Sequence, residues 1–404
     1  MSEPLTHSQQ RVLLAELLQP GTADNLMVHV YLAPARLDPS ALAEAVHRVV
    51  ARHPSLRDRL GWLDDGTPVS CAGVDDVELT TVRDPGHGTV AEIAGRVTAD
   101  WWTTPFDLER DAPFRMRLAR LPDGRDALCL GWHHMRCDGW SARLVAGDLA
   151  RAYQDVLSGR PTRWVPLPGD YARREQDGLA ERIAADAPFW RALLEHAPAP
   201  LFAVEHDYVA RHDSVLPLPT GALAGFDRLR RRDRLAVLLH VVATTLRGLA
   251  GGDGRDGVLL TTISSGRADP EFRGVVGCFV NPVIVPSVPG GTIGATRDLV
   301  DRCLRHSRLP FDEVVPLLPE RSRATPMEVV VSLNDWSRFG PRWGSHVIVN
   351  APRTAEGLVL DATSEAPGDW TLRARYGVGT PAAAIGPAAV ERVAEALSGA
   401  FADL

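Results

Sequence analysis

Two adjacent histidines, followed four residues later by an aspartate and then a glycine, are the residues of this sequence that could most readily do chemistry. His133 and His134 each carry an imidazole, and Asp138 adds a carboxylate. A neutral imidazole accepts a proton near pH 7, so a histidine here is a candidate general base. From these residues alone, a structural role for the histidine pair and a simple capping role for Asp138 stay open.

The flanking sequence predicts the elements that must position this segment. Apolar residues alternate with others over residues 127–133, which is typical of a strand. Asp138 is placed to cap a helix over residues 140–157, where apolar side chains recur at helical spacing. If the extended chain continued through His134, the two histidines would face opposite sides of the sheet. The predicted order is strand, tight turn and helix.

A metal site is a second interpretation of the same segment. His133, His134, Cys137 and Asp138 are all possible ligands. The remaining cysteines form no paired ligand spacing, which argues against this interpretation. We therefore predict no bound metal.

Length and composition indicate the class of protein. The chain has 404 residues, of which 45% are hydrophobic and 24% charged, and its net charge is −7. These values are typical of a globular protein with two domains, and they give no basic footprint for nucleic acid. The longest apolar run, residues 235–250, is interrupted by His240 and Arg247 and is too short to span a bilayer. Because a signal peptide is also lacking, we expect a cytoplasmic protein that does not enter a membrane.

The sequence contains no lysine, so all 44 basic residues are arginine. A Walker A loop and Schiff-base catalysis both need a lysine, and both are therefore excluded. Gly252, Gly254 and Gly257 match a dinucleotide-binding glycine pattern, but they precede a predicted strand instead of following one. We interpret them as a loop.

Helices and strands alternate along both halves of the chain without the regular spacing of a barrel. We predict helices near residues 8–18, 39–52, 171–195, 234–249 and 387–402, and strands near residues 27–32, 258–263, 327–333, 346–349 and 370–376. A proline-rich passage over residues 160–168 predicts a linker. The sequence thus indicates an α/β protein with two lobes, residues 1–165 and 166–404.

Six blocks of this sequence, in the same order, resemble the motifs of condensation domains from nonribosomal peptide synthetases. The segment from His133 to Gly139 matches the His-His-x-x-x-Asp-Gly signature of that family. The other blocks are Leu5–Arg11, Arg52–Arg57, Thr104–Leu108 with Pro113–Arg115, Ser265–Arg267 with Val276–Asn281, and Leu309–Asp312. Together they cover nearly the whole chain.

The resemblance implies two chloramphenicol-acetyltransferase-like lobes, arranged as a V-shaped pseudo-dimer with an active-site tunnel between them. It implies an acyltransferase of antibiotic-type biosynthesis that joins a carrier-bound acyl or aminoacyl thioester to an amine, forming an amide without a covalent acyl-enzyme. Carrier proteins would act in trans and bring the phosphopantetheine, and no cofactor would bind the chain directly. The blocks begin at Leu5 and no Gly-Gly-x-Ser carrier site is present. We therefore expect a free-standing condensation enzyme or an excised domain. We also expect a monomer.

The resemblance also implies roles for individual residues. His134 is the catalytic residue, which positions the acceptor amine and takes or relays its proton. The pKa of an α-amine is about 7.7 to 8, so accurate placement and a modest base suffice. His133 supports His134, Asp138 forms a salt bridge with Arg267 across the two halves, and Gly139 lets the backbone approach the substrate channel.

Three further residues, Trp140, Ser141 and Asn281, are the candidates for lining the substrate channel. Arg136 and Cys137 stand where the family usually has apolar or aromatic residues, which leaves the substrate preference open. The acceptor is a small molecule or a carrier-bound group, with an amine or an alcohol as nucleophile. An ester-forming or coenzyme A-dependent acyltransferase of the same superfamily stays open, as does a catalytically silent domain that recruits a partner protein.

Overall fold

The computed structural model describes residues 2–400 except for 74–76, 78, 85, 170, 202–208, 219–224, 250–256, 288–289, 338–342, 355–356 and 365–367. Gly252 and Gly254 of the glycine pattern lie outside the described residues, as do the last two positions of the predicted C-terminal helix. The chain forms two compact units. Unit 1 comprises the described residues of Met1–Gly178, Arg267–Phe279 and Pro341–Pro352, and unit 2 those of Leu179–Gly266, Val280–Gly340 and Arg353–Leu404.

Helices and strands are numbered in chain order over the described residues. The helices are α1 (His7–Leu18), α2 (Pro39–Arg52), α3 (Val90–Val97), α4 (Gly139–Leu157), α5 (Tyr171–Asp177), α6 (Leu179–Leu194), α7 (Arg231–Leu249), α8 (Ile293–Arg305), α9 (Phe311–Val314), α10 (Glu320–Arg323) and α11 (Pro381–Ala400). The strands are β1 (Glu3–Pro4), β2 (Leu26–Ala33), β3 (Arg59–Trp62), β4 (Pro68–Cys71), β5 (Leu79–Arg83), β6 (Phe114–Arg120), β7 (Asp126–His133), β8 (Val209–Pro217), β9 (Leu259–Ser264), β10 (Asn281–Pro286), β11 (Val329–Asp335), β12 (Ser345–Val349), β13 (Arg353–Thr354), β14 (Leu358–Ser364) and β15 (Thr371–Gly377).

Unit 1 is built on a five-stranded sheet in the order β12-β2-β7-β6-β5, which is antiparallel except for the parallel pair β5 and β6. The predicted alternation in β7 is confirmed. Leu128, Leu130 and Trp132 enter the core that α2 and α4 cover, whereas Ala127 and Cys129 enter the core on the opposite face. Because side chains on both faces of β7 are buried, the end of this strand is held firmly in the sheet.

Side-chain caps explain why the helices near β7 begin where they do. Asp38 caps α2 by accepting a hydrogen bond from the Ala41 backbone N–H, and Pro39 occupies the first helical position. Thr6 and Gln9 form a capping box at the start of α1. These starts agree with the sequence-based expectations for both helices to within a residue.

A segment from late in the sequence completes unit 1. Strand β12 pairs antiparallel with β2 at the sheet edge, with His346 opposite Tyr31. Next to this strand, Trp343 is buried, and its indole N–H donates to the backbone oxygen of Ala146 in α4 at 2.9 Å. The predicted N-terminal lobe therefore contains only part of the residues that form unit 1.

The predicted lobe boundary at residues 165 and 166 falls inside unit 1, whose first segment continues to Gly178. The reason is that the proline-rich passage packs on α2. Arg52 donates to the backbone oxygen of Val165 at 2.8 Å, and its guanidinium lies 4.6 Å from the ring centre of Trp164. The passage is thus part of the surface of unit 1.

Unit 2 contains a seven-stranded sheet in the order β10-β9-β11-β14-β15-β8-β13. Strand β11 runs parallel to β9 and β14, and the other pairs are antiparallel. The helix predicted over residues 171–195 is two helices separated at Gly178. The C-terminal helix begins at Pro381, six residues before the predicted start, because Pro387 lies inside the helix instead of opening it. No helix of the described residues is long and apolar enough to cross a membrane.

Candidate active site

The histidine pair lies where β7 turns towards α4. Strand β7 ends at His133, residues His134–Arg136 form one turn of 3-10 helix, and α4 begins at Gly139. The ring Nδ1 of His133 caps this turn by accepting a hydrogen bond from the Met135 backbone N–H at 3.2 Å. The predicted order of strand, turn and helix is therefore confirmed. The strand conformation ends at His133, so the direction of the His134 ring depends on its contacts with neighbouring side chains and not on the alternation of the strand.

The ring of His134 is half-buried, and its Nδ1 lies 3.8 Å from the sulfur of Cys278. Burial lowers the pKa of His134 below its usual 6.5; a hydrogen bond to the backbone of His134 itself and the charge of Asp138 raise this pKa by less. Nδ1 is thus the ring nitrogen that faces Cys278. At pH 7 the imidazole of His134 is therefore mostly neutral and can accept a proton.

The ring of His133 contacts the carboxylate of Glu16 in α1, with Nε2 at 3.3 Å from Oε2. The Asn25 side-chain amide donates to the same oxygen at 2.8 Å. Burial raises the pKa of Glu16, but the hydrogen bonds from His133 and Asn25 together outweigh it and leave this pKa below its usual value. Sequence reasoning did not identify Glu16 or Asn25, because neither belongs to the quoted motifs.

Asp138 is completely buried, and its carboxylate accepts three hydrogen bonds. Oδ1 accepts from the Ser141 backbone N–H at 2.8 Å, which is the predicted helix cap. Oδ2 accepts from Arg267 Nη1 at 2.7 Å and from the Phe279 backbone N–H at 3.0 Å. The Arg267 side chain is 1% exposed. The ion pair implied by the resemblance is present, but Arg267 belongs to unit 1, so the pair joins the two halves of the sequence within that unit.

Ser141 uses its hydroxyl inside the protein. It accepts from Arg267 Nη2 at 2.7 Å and from the Gly277 backbone N–H at 3.0 Å, and it donates to the Gly277 carbonyl at 2.8 Å. The indole N–H of Trp140 donates to the backbone oxygen of Arg273 at 2.9 Å. Both residues therefore hold the segment Arg267–Phe279 against the start of α4.

Two more predicted site residues have contacts of their own. Asn281 lies in unit 2, where its amide donates to the backbone oxygens of Ser307 and Leu309 at 3.0 and 2.9 Å. Gly139 is the first residue of α4 and does not have a positive φ, so no left-handed backbone requires glycine there. A contact of Trp140, Ser141 or Asn281 with substrate, and a close approach at Gly139, stay predictions.

The two departures from the family motif both lie in the protein interior. Arg136 is 2% exposed and donates to Ser70 Oγ and to the backbone oxygen of Arg59, each at 2.8 Å. Burial lowers the pKa of Arg136 to about 10. Cys137 is fully buried, and burial raises the pKa of its thiol well above the usual value. Cys137 is therefore a small core residue rather than a reactive thiolate.

A metal site was the other interpretation of this segment. Across the part of the chain that the structure describes, no three or more His, Cys, Asp or Glu side chains are grouped so as to hold a metal ion. The imidazole of His134 can accept a proton, and the carboxylate of Asp138 is engaged in the helix cap and the ion pair.

Comparison with known proteins adds sequence relatives. The family model described as Condensation domain matches residues 2–339. Phosphinothricin tripeptide synthetase PhsB of Streptomyces viridochromogenes is 30% identical over 356 residues, which cover 82% of this chain and 30% of that protein. The dimodular nonribosomal peptide synthase of Bacillus subtilis is 29% identical over 353 residues, 80% of this chain and 14% of that protein. The chain spans less than a third of the length of these relatives.

Solved structures share the fold. The first condensation domain of the calcium-dependent antibiotic synthetase superposes with a TM-score of 0.79 at 21% identity, covering 98% of this chain and 97% of the other. The starter condensation domain of the rhizomide synthetase RzmA gives 0.81 at 18% identity, covering 99% and 94%. These likenesses confirm the predicted α/β fold.

Proposed function

Because the chain belongs to the condensation-domain family, we propose that it transfers an acyl or aminoacyl group from a carrier-bound thioester to an amine and forms an amide. One observation above all supports this proposal. His134, the second histidine of the family signature, is half-buried with Nδ1 facing Cys278, and burial lowers its pKa so that the imidazole is mostly neutral at pH 7. Its Nε2 is therefore the ring nitrogen suited to accept a proton from an amine.

The proposed reaction is a direct displacement at the thioester carbonyl. The amine lone pair attacks the carbonyl carbon, and one amine proton moves to Nε2 of His134. The tetrahedral intermediate then collapses, the C–S bond breaks, and the sulfur of the carrier's phosphopantetheine leaves and takes up the proton. Placement of the two substrates against His134 contributes most of the rate, since a bound amine acts at a high effective concentration.

The remaining motif residues have architectural roles in this proposal. Asp138 and Arg267 neutralise each other and are both shielded from water, so neither is suited to exchange a proton with substrate. They fix the start of α4 and the segment that carries Cys278 next to His134. Carrier proteins acting in trans bring the phosphopantetheine, and no group of the chain itself becomes acylated.

The test is acyl transfer followed by intact mass. Carrier proteins loaded with a panel of acyl and aminoacyl thioesters are mixed with free or carrier-bound amines, and wild type is compared with His134→Ala. A general base contributes about 10²- to 10⁴-fold, and we expect a loss of that size in the variant. His47→Ala is the matched control, because His47 is an exposed histidine on α2. Undiminished transfer by His134→Ala would refute the role of His134.

Two further arms of the same assay separate the related activities. The RzmA domain was solved with C8-CoA and Leu-SNAC, so coenzyme A thioesters are included as donors and soluble amines as acceptors. Transfer to alcohols but not to amines would assign ester formation. Binding of a carrier without transfer from any donor would instead identify a recruiting domain. A stable acyl adduct on the enzyme would contradict direct displacement.

A further inference from the structure

The carboxylate of Glu16 lies next to the histidine pair without belonging to any of the motif blocks. Glu16 is in α1, its side chain is 14% exposed, and α1 packs against the turn that carries His134. A carboxylate so far from solvent needs hydrogen-bond partners. Its partners are the side chains of His133 and Asn25, and both donors meet the same oxygen, Oε2.

Each of these two partners also holds one backbone amide of the 3-10 turn His134–Arg136. The Asn25 backbone oxygen accepts the His134 N–H at 2.8 Å. The His133 ring accepts the Met135 N–H through Nδ1 at 3.2 Å. The backbone amides of His134 and Met135 are therefore fixed by two residues, Asn25 and His133, that hydrogen-bond to Glu16.

The contacts of His133 determine which of its nitrogens carries the proton. Nδ1 accepts from a backbone N–H, so it must be unprotonated, and the proton is on Nε2 facing Glu16. The opposite tautomer would set two N–H groups against each other and a lone pair against the carboxylate. Phe106 packs edge-on to the His133 ring at 6.3 Å between centroids, which leaves the ring little freedom to rotate away.

We propose that Glu16 is a positioning residue for the acyl transfer, acting through His133 and Asn25 to hold the backbone of His134. The inference rests on the proposed function of His134, since Glu16 itself does not contact the reacting atoms. A catalytic group displaced by about 1 Å loses on the order of 10²-fold in rate. Removing the Glu16 carboxylate should therefore lower kcat by about 10- to 100-fold and leave KM for the carrier-bound donor unchanged.

The first experiment compares Glu16→Ala, Glu16→Gln and Glu44→Ala. Glu44 is an exposed helical glutamate paired with Arg48, so it controls for loss of a carboxylate elsewhere in unit 1. Because both donors meet one oxygen of Glu16, the single amide oxygen of glutamine can accept both. We expect Glu16→Gln to keep kcat within about threefold of wild type, and Glu44→Ala to match wild type. Equal kcat for Glu16→Ala and wild type would overturn the inference.

The second experiment repeats Glu16→Ala in the His134→Ala background. If Glu16 acts through His134, the additional change has no effect on the residual transfer of His134→Ala. A further loss as large as in wild type would mean that Glu16 acts on something else. This comparison also separates a positioning role from general damage to the fold, which would lower both rates.

A third measurement does not depend on activity. Long-range ¹H–¹⁵N correlation spectra of histidine-labelled protein report which ring nitrogen carries the proton. We expect wild-type His133 to be protonated at Nε2, and Glu16→Ala to lose this single tautomer while Glu44→Ala keeps it. Protonation at Nδ1 in wild type would overturn the inference about Glu16. Absence of acyl transfer with the expected tautomer would instead count against the proposed function.

Discussion

Replacing Asp138 by alanine tests whether this residue belongs to the architecture of the site or to its chemistry. The change leaves the guanidinium of Arg267 buried at 1% exposure without its carboxylate, and it removes the acceptor for the Phe279 and Ser141 amides. Breaking a buried ion pair costs about 3 to 5 kcal/mol, and loss of a helix cap about 1 kcal/mol. The expected loss of about 4 to 6 kcal/mol is comparable with the whole stability of many domains.

Asp126→Ala is the matched control for this experiment. Asp126 is also fully buried and also pairs with arginines, but the Arg36 and Arg120 side chains are 43% and 22% exposed. After the change, both arginines can turn to water, and the main cost is the unpaired Leu37 backbone N–H, about 1 to 3 kcal/mol. Asp138→Ala should therefore be clearly more destabilising than Asp126→Ala.

The assay is urea unfolding followed by tryptophan fluorescence, with transfer activity measured per folded molecule. Combining Asp138→Ala with Arg267→Met removes the stranded charge and should recover part of the lost stability. Asp126→Ala should keep normal turnover. If Asp138→Ala were as stable as Asp126→Ala and yet inactive, the assignment of Asp138 to architecture would be refuted.

Two pH dependences follow from buried histidines. Burial lowers the pKa of His134, so kcat/KM for the acceptor, divided by the fraction of acceptor amine that is unprotonated, should fall on the acid side with a midpoint below pH 6.5, and a corrected midpoint at pH 7 or above would contradict this. In β2, burial, with the neighbouring His346 and Arg143 adding, lowers the pKa of His29 well below 6.5. The unfolded chain then binds a proton below pH 6.5 that folded His29 does not. The free energy of unfolding should therefore fall with decreasing pH, by up to about 1.4 kcal/mol per pH unit for this group. His29→Asn should flatten the slope in urea unfolding between pH 5 and 8, and an unchanged slope would show that His29 is not responsible.

The strand and helix around the site could be predicted because their patterns are local. The alternation in β7 continues to His133, and Asp138 caps α4 three residues before the amide that it binds. The ion pair of Asp138 with Arg267 joins residues 129 positions apart. It was accessible only through the family resemblance, because nothing in local periodicity indicates which distant residues meet.

Glu16 could not be found from the sequence, and α1 shows why. From its apolar pattern, the leucines of this helix would be expected to face inward. In the structure, Leu14, Leu17 and Leu18 are exposed, whereas Ser8 and Gln9 are buried. A helix whose buried face is partly polar gives a misleading periodicity. The direction of the Glu16 side chain therefore depends on tertiary packing.

The pairing of β12 with β2 was also beyond local reasoning. The strand itself was predicted near residues 346–349, but its partner lies about 317 positions earlier. Strand β6 was also missed, although Phe114, Met116 and Leu118 alternate with Arg115 and Arg117, a pattern typical of a half-buried strand. Of these two strands, only the pairing of β12 depends on the assembled fold.

Unit 1 includes residues 267–279 and 343–352, which are translated long after the rest of the unit. At about 5 to 20 residues per second, roughly 7 to 28 s pass between the addition of Asp138 and that of Phe279. During this interval the nascent chain holds a carboxylate that can cap α4 but has no arginine to neutralise it. The contacts around Asp138 are therefore completed by residues made later, and a chain interrupted before Arg267 carries the whole His-His-x-x-x-Asp-Gly signature without the ion pair of Asp138 with Arg267.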